Sequence, residues 1–199
     1  MTDPAAPNLR EIKKRRTRAA IVAAAMNLFD EHGYDAVTVA AVAEAAEVGQ
    51  RTLYRHFADK EDFLFAPDDE LHHAMTRAAA AAPDDGTGLA VFVHAVRAAA
   101  EILEPQREML VRRARVIART PALQAREGLK QAALQQLFTD ELVRRGHPPE
   151  RARLVAGIGM TCAGEALARW LEDPDHGSLD EIIAGVEADA GTLGTPIHK

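Results

Sequence analysis

Residues 38–62 read TVAAVAEAAEVGQRTLYRHFADKED, and this stretch decides the fold of the N-terminal part of the chain. Thr38 is a candidate N-cap for a short helix, because its hydroxyl can accept a hydrogen bond from a free amide of the first turn. After the interruption Glu47-Val48-Gly49, a second short helix is expected from about Gln50 to Phe57, and Asp59 can cap a third. Short helices joined by tight turns predict a helix-turn-helix.

The second of these helices carries the side chains that point to a function. Leu53 and Phe57 are four residues apart and form its buried stripe. The remaining side chains are polar or cationic and have the groups that a DNA major groove requires; they are Gln50, Arg51, Thr52, Tyr54, Arg55 and His56. Arginine pairs with guanine and glutamine with adenine, while threonine and tyrosine reach phosphates. Lys60 and the amides at the next helix start can bind a further phosphate. A solvated polar face is the alternative for one such helix taken alone.

A cationic stretch precedes the helix-turn-helix, with six cations and one anion in residues 10–18. It leads into a helical pattern containing Ile21, Ala25 and Phe29, which Gly33 is expected to end. The cationic stretch is either a solvated, frayed tail or an extension that binds phosphates or the minor groove. Beside a DNA-binding head we expect the second.

Composition favours helices throughout the 199 residues, since alanine is frequent and aromatic residues make up only 5%. The fold is therefore predicted to be all-α, with about nine helices. We expect a disordered tail at 1–9, a helix-turn-helix DNA-binding domain at 10–66, and an effector-binding and dimerisation domain at 67–199. Pro67 falls inside an apolar pattern, so it should kink the chain and is a plausible place for motion to pass between the domains.

Several classes of protein are excluded. The single cysteine, Cys162, cannot form a disulfide framework or a cysteine-built zinc site. No uncharged stretch is long enough to span a membrane and no signal peptide is evident, so a cytoplasmic protein without a membrane partner is expected. We find no catalytic constellation and expect no cofactor. We also expect no metal site, because the adjacent His72 and His73 point apart on a helix. The net charge of −6 argues against a basic coat but not against a local basic edge.

The stretch around the helix-turn-helix resembles the TetR family of transcriptional regulators over about residues 15–65. The resemblance is carried by Phe29, Gly33 and Tyr34, by Thr38-Val39, Val42-Ala43, Ala46 and Val48, and by Thr52-Leu53-Tyr54-Arg55-His56-Phe57 with Lys60-Glu61. It implies a homodimeric regulator whose N-terminal head binds a DNA operator and whose helical remainder dimerises and holds a small effector.

The resemblance also implies roles for single residues. Thr38, Tyr54 and Lys60 would contact phosphates, His56 would lie at the groove, and Gln50, Arg51 and Thr52 would begin the recognition helix. The chain departs from the family pattern at two positions. Glu47 stands where a turn glycine is common, so the turn must avoid a positive φ or be strained. Gly49 stands where a serine-type N-cap is common, and glycine still caps adequately.

With Pro67, an arginine-rich sixth helix and Thr120-Pro121, the C-terminal part resembles a subgroup of actinobacterial TetR regulators, and this resemblance implies an acyl-CoA-like or other hydrophobic ligand. Arg112 and Arg115 share a helix face, which is either solvated or a site for an anionic effector. Six other side chains could line a pocket, although each could also be plain core; they are Phe92, Met109, Phe138, Met160, Cys162 and Trp170.

The segment at about 149–172 is apolar almost all round, which is typical of a helix that is central or shared with a partner. In the family this segment and the last helix form the dimer interface. The main hypothesis is therefore a ligand-responsive transcriptional regulator that acts as a repressor. The alternatives are a constitutive DNA-binding protein without an effector and an all-α enzyme.

Overall fold

A computed structural model of the chain describes residues 9–65, 68–83, 88–173, 175 and 177–192. These residues form ten α-helices and one 3-10 turn, without a strand, so the all-α prediction is confirmed. None of the described helices combines the length and apolar character that crossing a bilayer requires. Pro67 and residues 1–8 lie outside the described residues, whereas Leu9, which we assigned to the tail, begins the first helix.

The chain divides into two units. Met1–Pro67 and Arg112–Thr120 form the first unit, and Asp68–Val111 and Pro121–Lys199 form the second. The short segment at 112–120 was assigned from the sequence to the C-terminal domain, but its contacts group it with the first unit.

The first unit contains α1 (Leu9–His32), α2 (Val39–Ala45), α3 (Gln50–His56) and α4 (Asp62–Phe65). The expected helix boundaries are confirmed by hydrogen bonds that close within a few residues. Gly33 has a φ of +80° and donates its amide to the Phe29 carbonyl at 2.9 Å. The Thr38 hydroxyl accepts from the Ala41 amide at 3.1 Å, as an N-cap does.

The start of α4 is capped from both sides. The Asp59 carboxylate accepts the Asp62 amide at 2.8 Å, and the Asp62 carboxylate accepts the Ala58 amide at 2.8 Å. The side chains that fill this unit are large and fully buried; among them are Ile21, Met26, Leu53, Phe63, Leu64 and Phe65. The four helices therefore share one core although three of them are too short to be stable alone.

The second unit contains α5 (Asp68–Ala81), α6 (Leu89–Leu103), a 3-10 turn (Glu104–Gln106), α8 (Pro121–Arg144), α9 (Pro149–Glu172) and α10 (Leu179–Thr192). The remaining helix, α7 (Arg107–Ala118), begins in this unit and ends in the first. The predicted capping box of α10 is confirmed, since the Ser178 amide donates to the Glu181 carboxylate at 2.9 Å and the Glu181 amide donates to the Ser178 hydroxyl at 3.2 Å.

Two apolar clusters stabilise the second unit. Phe92 of α6 and Phe138 of α8 lie at the centre of one, with ring centroids 4.2 Å apart. Trp170 of α9 lies in the other, together with Ile183 and Val186 of α10. The 3-10 turn and the start of α7 hold the α9–α10 connection in place. Arg107 donates to the carbonyls of Trp170, Leu171 and Asp173, and the Glu104 carboxylate accepts the Leu179 amide.

The close approach of α9 to α6 depends on a glycine. A Cβ at Gly159 would lie 2.4 Å from Cδ1 of Phe92, whose ring is fixed against Phe138. Gly159→Ala should therefore lower the free energy of unfolding by roughly 1–3 kcal/mol, the usual cost of overpacking a core. Urea unfolding followed by circular dichroism measures this.

The matched control for this prediction is Gly128→Ala. Gly128 lies within α8 and has open space where a Cβ would be. Alanine there should raise the free energy of unfolding by about 0.5–1 kcal/mol through helix propensity alone. Equal effects of the two substitutions would contradict the packing argument.

Candidate nucleic-acid interface and ligand cavity

Helix α3 presents one polar face to solvent. Leu53 is buried within it and Phe57 is buried directly after it. The exposed side chains are Gln50, Arg51, Tyr54 and Arg55, and those half-buried at the edges are Thr52 and His56. The phenol of Tyr54 is 57% exposed, an unusual degree for an aromatic residue. The structure therefore brings the residues predicted on this helix to one surface. Two cationic side chains and two neutral polar ones make up most of that surface.

His56 differs from its neighbours because part of its ring is buried. Its Nδ1 atom is buried and has no hydrogen-bond partner. Burial lowers the pKa of His56 below its ordinary value, and the charges of Arg55, Arg18 and Lys14 lower it further. In the free protein this lowered pKa favours the neutral imidazole.

The cationic stretch at 10–18 is helical and forms the first turns of α1. Its members do not share one role. The side chains of residues 13–16 are exposed, whereas Arg18 is half-buried. Nη1 of Arg18 donates to the His56 carbonyl at 3.2 Å, and its guanidinium lies 5.0 Å from the centroid of the Phe57 ring. Arg18 thus binds the C-terminal end of α3, a contact that sequence reasoning missed because the two residues are 38 positions apart.

Lys60 also has an internal role. Its ammonium donates to the Tyr34 carbonyl at 2.8 Å and to the Val37 carbonyl at 3.0 Å, and it lies 4.0 Å from the centroid of the Tyr34 ring. An ammonium has three donors, so these bonds leave one for a phosphate. The phosphate contact that the family resemblance implies stays a prediction, and a Lys60 variant would disturb the turn between α1 and α2 as well.

The turn between α2 and α3 has the strain that the sequence left open. Glu47 has a φ of +54°, and it is the one non-glycine residue with a positive φ among those that the structure describes. Gly49, which precedes α3, has a φ of −67° and makes no side-chain cap. The departure at Glu47 therefore costs conformational energy, while the departure at Gly49 costs a capping bond.

An apolar cavity of about 180 Å³ lies within the second unit, between α6, α9 and α10. The side chains that line it are aliphatic, aromatic or thiol, and include Phe92, Val96, Cys162, Ala166, Ile183 and Val186. Its rim carries two exposed apolar side chains, Leu89 and Ile158, so the cavity is open to solvent on that side. No cluster of metal-ligating side chains occurs in the described part of the chain.

The structure brings two of the eight predicted pocket residues to this cavity, namely Phe92 and Cys162. Phe138 packs behind Phe92 in the core, and Trp170 is buried in the neighbouring cluster. Met109 and Met160 are half-buried outside the lining. Most of the lining comes from the apolar faces of α6 and α10, which the sequence marked only as helix stripes.

Arg112 and Arg115, which were also predicted to belong to the effector pocket, do not line this cavity. Both residues group with the first unit. Nε of Arg112 donates to the Asp30 carboxylate, and its Nη2 donates to Oδ1 of Asn27 at 2.7 Å. Arg115 is exposed on α7. A carboxylate and an amide of α1 thus take the donors of Arg112 that an anionic ligand would need.

Comparison with known proteins finds two family models that match separate parts of the chain. Residues 21–66 match the family described as bacterial regulatory proteins, tetR family, and residues 87–189 match the MftR C-terminal domain. The chain is 39% identical over 95 residues to the HTH-type transcriptional regulator TcmR of Streptomyces glaucescens. These 95 residues make up 48% of this chain but only 42% of that relative. It is 27% identical over 165 residues to the putative mycofactocin biosynthesis transcriptional regulator MftR of Mycobacterium tuberculosis, covering 82% of this chain and 81% of that relative.

Solved structures share the fold. A putative TetR-family transcriptional regulator from Syntrophomonas wolfei superposes with a TM-score of 0.65 at 19% identity, over 92% of this chain and 97% of that one. The transcriptional regulator FadR from Bacillus subtilis superposes with a TM-score of 0.60 at 18% identity, over 90% of this chain and 99% of that one. It was solved in complex with stearoyl-CoA. At these identities the likeness shows the architecture alone.

The strain at Glu47 yields a prediction. Glu47→Gly should raise the free energy of unfolding by about 0.5–1 kcal/mol, because a left-handed conformation costs an L-residue roughly 1–2 kcal/mol and glycine regains most of that against its larger unfolded-state entropy. Thermal and urea unfolding measure the change. Glu44→Gly, at an exposed helical position of α2, is the control and should lower stability by about 1 kcal/mol. Loss of stability in both variants would contradict the strain at Glu47.

Proposed function

The chain belongs to the TetR family of bacterial regulatory proteins and is a DNA-binding transcription regulator; from that premise we propose that it is a repressor. It would bind a pseudo-palindromic operator as a homodimer and respond to a hydrophobic small molecule. The observation that carries the DNA-binding role is the outward face of α3, where Gln50, Arg51, Tyr54 and Arg55 are exposed while Leu53 is buried. This face offers donors to base edges and to phosphates together.

In a two-fold dimer the same surface of each subunit meets its equivalent. We assign this role to α9 and α10, because α9 exposes large apolar side chains there. Leu154 is 64% exposed and Ile158 is 48% exposed, one helical turn apart. Burial of such residues against a second copy would remove them from water. Two recognition helices related in this way read half-sites about one DNA turn apart, roughly 34–36 Å.

The effector would occupy the cavity between α6, α9 and α10. Its apolar lining suits a hydrophobic molecule or the acyl part of an acyl-CoA-like molecule. The stearoyl-CoA bound to the Bacillus subtilis neighbour supports a ligand of that type in this architecture. The effector acts only if it has different affinities for the DNA-competent and DNA-incompetent conformations. Since its relatives are regulators, we propose no enzymatic activity, and we place its action in the cytoplasm with the DNA.

The DNA-binding role is tested on α3. Operator sequences are first selected from random double-stranded DNA with the full-length protein, and affinities are then measured by fluorescence anisotropy at several salt concentrations. Arg51→Ala with Arg55→Ala should weaken operator binding at least tenfold, because each good base contact is worth about 1–3 kcal/mol. For each lost phosphate contact the log–log salt slope should fall by about 0.9.

The control for this experiment is Arg77→Ala, which removes an exposed cation of α5 in the second unit. It should leave operator affinity unchanged. Wild-type affinity in the Arg51→Ala, Arg55→Ala variant, with a normal circular dichroism spectrum, would show that α3 is not the reading surface.

The dimer interface is tested by placing a charge on it. Leu154→Asp should raise the dimer dissociation constant about a hundredfold or more, because an unpaired carboxylate buried in an apolar interface costs roughly 3–5 kcal/mol. Sedimentation equilibrium measures the change. Leu129→Asp is the control, since Leu129 is an even more exposed leucine, at 73%, on α8. A dimer that resists Leu154→Asp, or that Leu129→Asp breaks equally, would rule out the assigned interface.

A further inference from the structure

The proposed effector cavity is small and uncharged. A cavity of about 150 Å³ lined by aliphatic and aromatic side chains is enough to bind a benzene-sized molecule. At about 180 Å³, the cavity between α6, α9 and α10 holds a small apolar group or one segment of an apolar chain. A larger ligand must place its remaining atoms at the edge of the cavity, and the chemistry of that edge decides which ligands fit.

An ion pair joins α6 to α10 at this edge. Nε of Arg97 lies 2.9 Å from Oδ1 of Asp180. Arg97 directly follows Val96 and lies one helical turn after Val93, and both valines line the cavity. Asp180 lies one turn before Ile183, which also lines it. Since residues three or four apart share a helix face, Arg97 and Asp180 lie on the faces of α6 and α10 that carry these lining residues, although neither of the two lines the cavity itself.

This ion pair is easily exchanged. The side chains of Arg97 and Asp180 are 50% and 55% exposed, and a pair so exposed contributes little stability because water competes for both charges. A ligand whose apolar part lies in the cavity would hold its own polar end near Arg97 at a high effective concentration. A guanidinium binds a carboxylate through two parallel hydrogen bonds, so a ligand carboxylate can replace that of Asp180. Asp180 is then free to turn to solvent.

The surrounding cations do not favour a group with several charges. Arg107 donates to the carbonyls at the end of α9, and Arg169 pairs with Glu165 at 2.7 Å. Arg151 and Arg153 lie near the start of α9, seven and five residues before Ile158, the first lining residue of that helix. Arg97 thus offers one guanidinium with an exchangeable partner, which suits one carboxylate better than a group with several charges.

We propose that Arg97 binds the carboxylate of an amphipathic monocarboxylic acid whose apolar chain fills the cavity, displacing Asp180. This inference rests on the proposed effector site and specifies the polar end of its ligand. Trp170 provides a readout without labelling. It is the single tryptophan of the chain, and it packs in the same apolar cluster as Ala166, Ile183 and Val186, which line the cavity.

The test compares three probes with the same eight-carbon chain, namely octanoate, 1-octanol and octanoyl-CoA. Full-length protein is titrated with each probe, and the dissociation constant is measured from Trp170 fluorescence. Isothermal titration calorimetry then checks that constant. Octanoate should bind at least threefold more tightly than the other two probes. Arg97→Gln should weaken octanoate about threefold to tenfold and leave 1-octanol unchanged. Asp180→Asn, which removes the competing carboxylate, should tighten octanoate by a similar factor. Arg151→Gln removes one positive charge, as Arg97→Gln does, and should change the affinity for neither octanoate nor 1-octanol.

Each other result overturns the inference in a distinguishable way. Equal binding of octanoate and 1-octanol, unaffected by Arg97→Gln, rejects the carboxylate site and leaves the effector cavity in place. Tightest binding of octanoyl-CoA, unaffected by Arg97→Gln, shows that phosphates are recognised elsewhere. Absence of binding by all three probes rejects the cavity as an effector site, and the inference fails with it.

Discussion

Helix α3 depends on two apolar side chains of the core, one within the helix and one directly after it. A helix of seven residues is not stable in water by itself, because too few hydrogen bonds offset the entropy of forming it. Leu53 and Phe57 are buried, and the Phe57 ring meets the edge of Phe63 with centroids 5.1 Å apart. Burying such a side chain contributes roughly 1.5–3 kcal/mol, more than a single cap does. Once these two residues are inside, the 3.6-residue period of the helix determines which side chains face outward.

Several cations of this chain complete helix ends. The last carbonyls of a helix lack partners within it and carry partial negative charge, so a cation nearby is favourable. Arg18 binds the carbonyl at the end of α3, and Arg107 binds three carbonyls at the end of α9. Lys60 binds two carbonyls in the turn that follows α1. A count of Lys and Arg therefore overstates the charge that is available to DNA or to an anionic ligand.

The distance along the chain between two bonded residues explains which contacts the sequence could predict. Thr38, Gly33 and Ser178 were assigned correctly because their partners lie within four residues, where helix geometry fixes the spacing. The contacts of Arg112 could not be predicted because its partners, Asp30 and Asn27, are more than eighty residues away and nothing local indicates them. An arginine on a helix face looks the same in sequence whether it meets solvent, a ligand or another helix.

The lining of the cavity was predictable only in part for a related reason. Apolar side chains fill a core wherever neighbouring helices bring them together, and few voids remain between them. Gly159 allows Phe92 to pack at the cavity wall, while Phe138 is held behind it. Periodicity marks all of these residues as buried, but only the packing of three helices decides which of them border empty space.

The distribution of charge has a consequence for how this family member discriminates among DNA sequences. Non-specific affinity grows with the number of phosphates that cations neutralise, whereas discrimination comes from base edges. The chain has a net charge of −6, and its outward cations in the first four helices are concentrated at residues 13–16 of α1 and at Arg51 and Arg55 of α3. A small cationic edge on an acidic protein limits binding to arbitrary DNA, because most of the surface repels phosphate. The base contacts proposed for α3 would therefore weigh more in the total affinity than they would on a strongly basic protein.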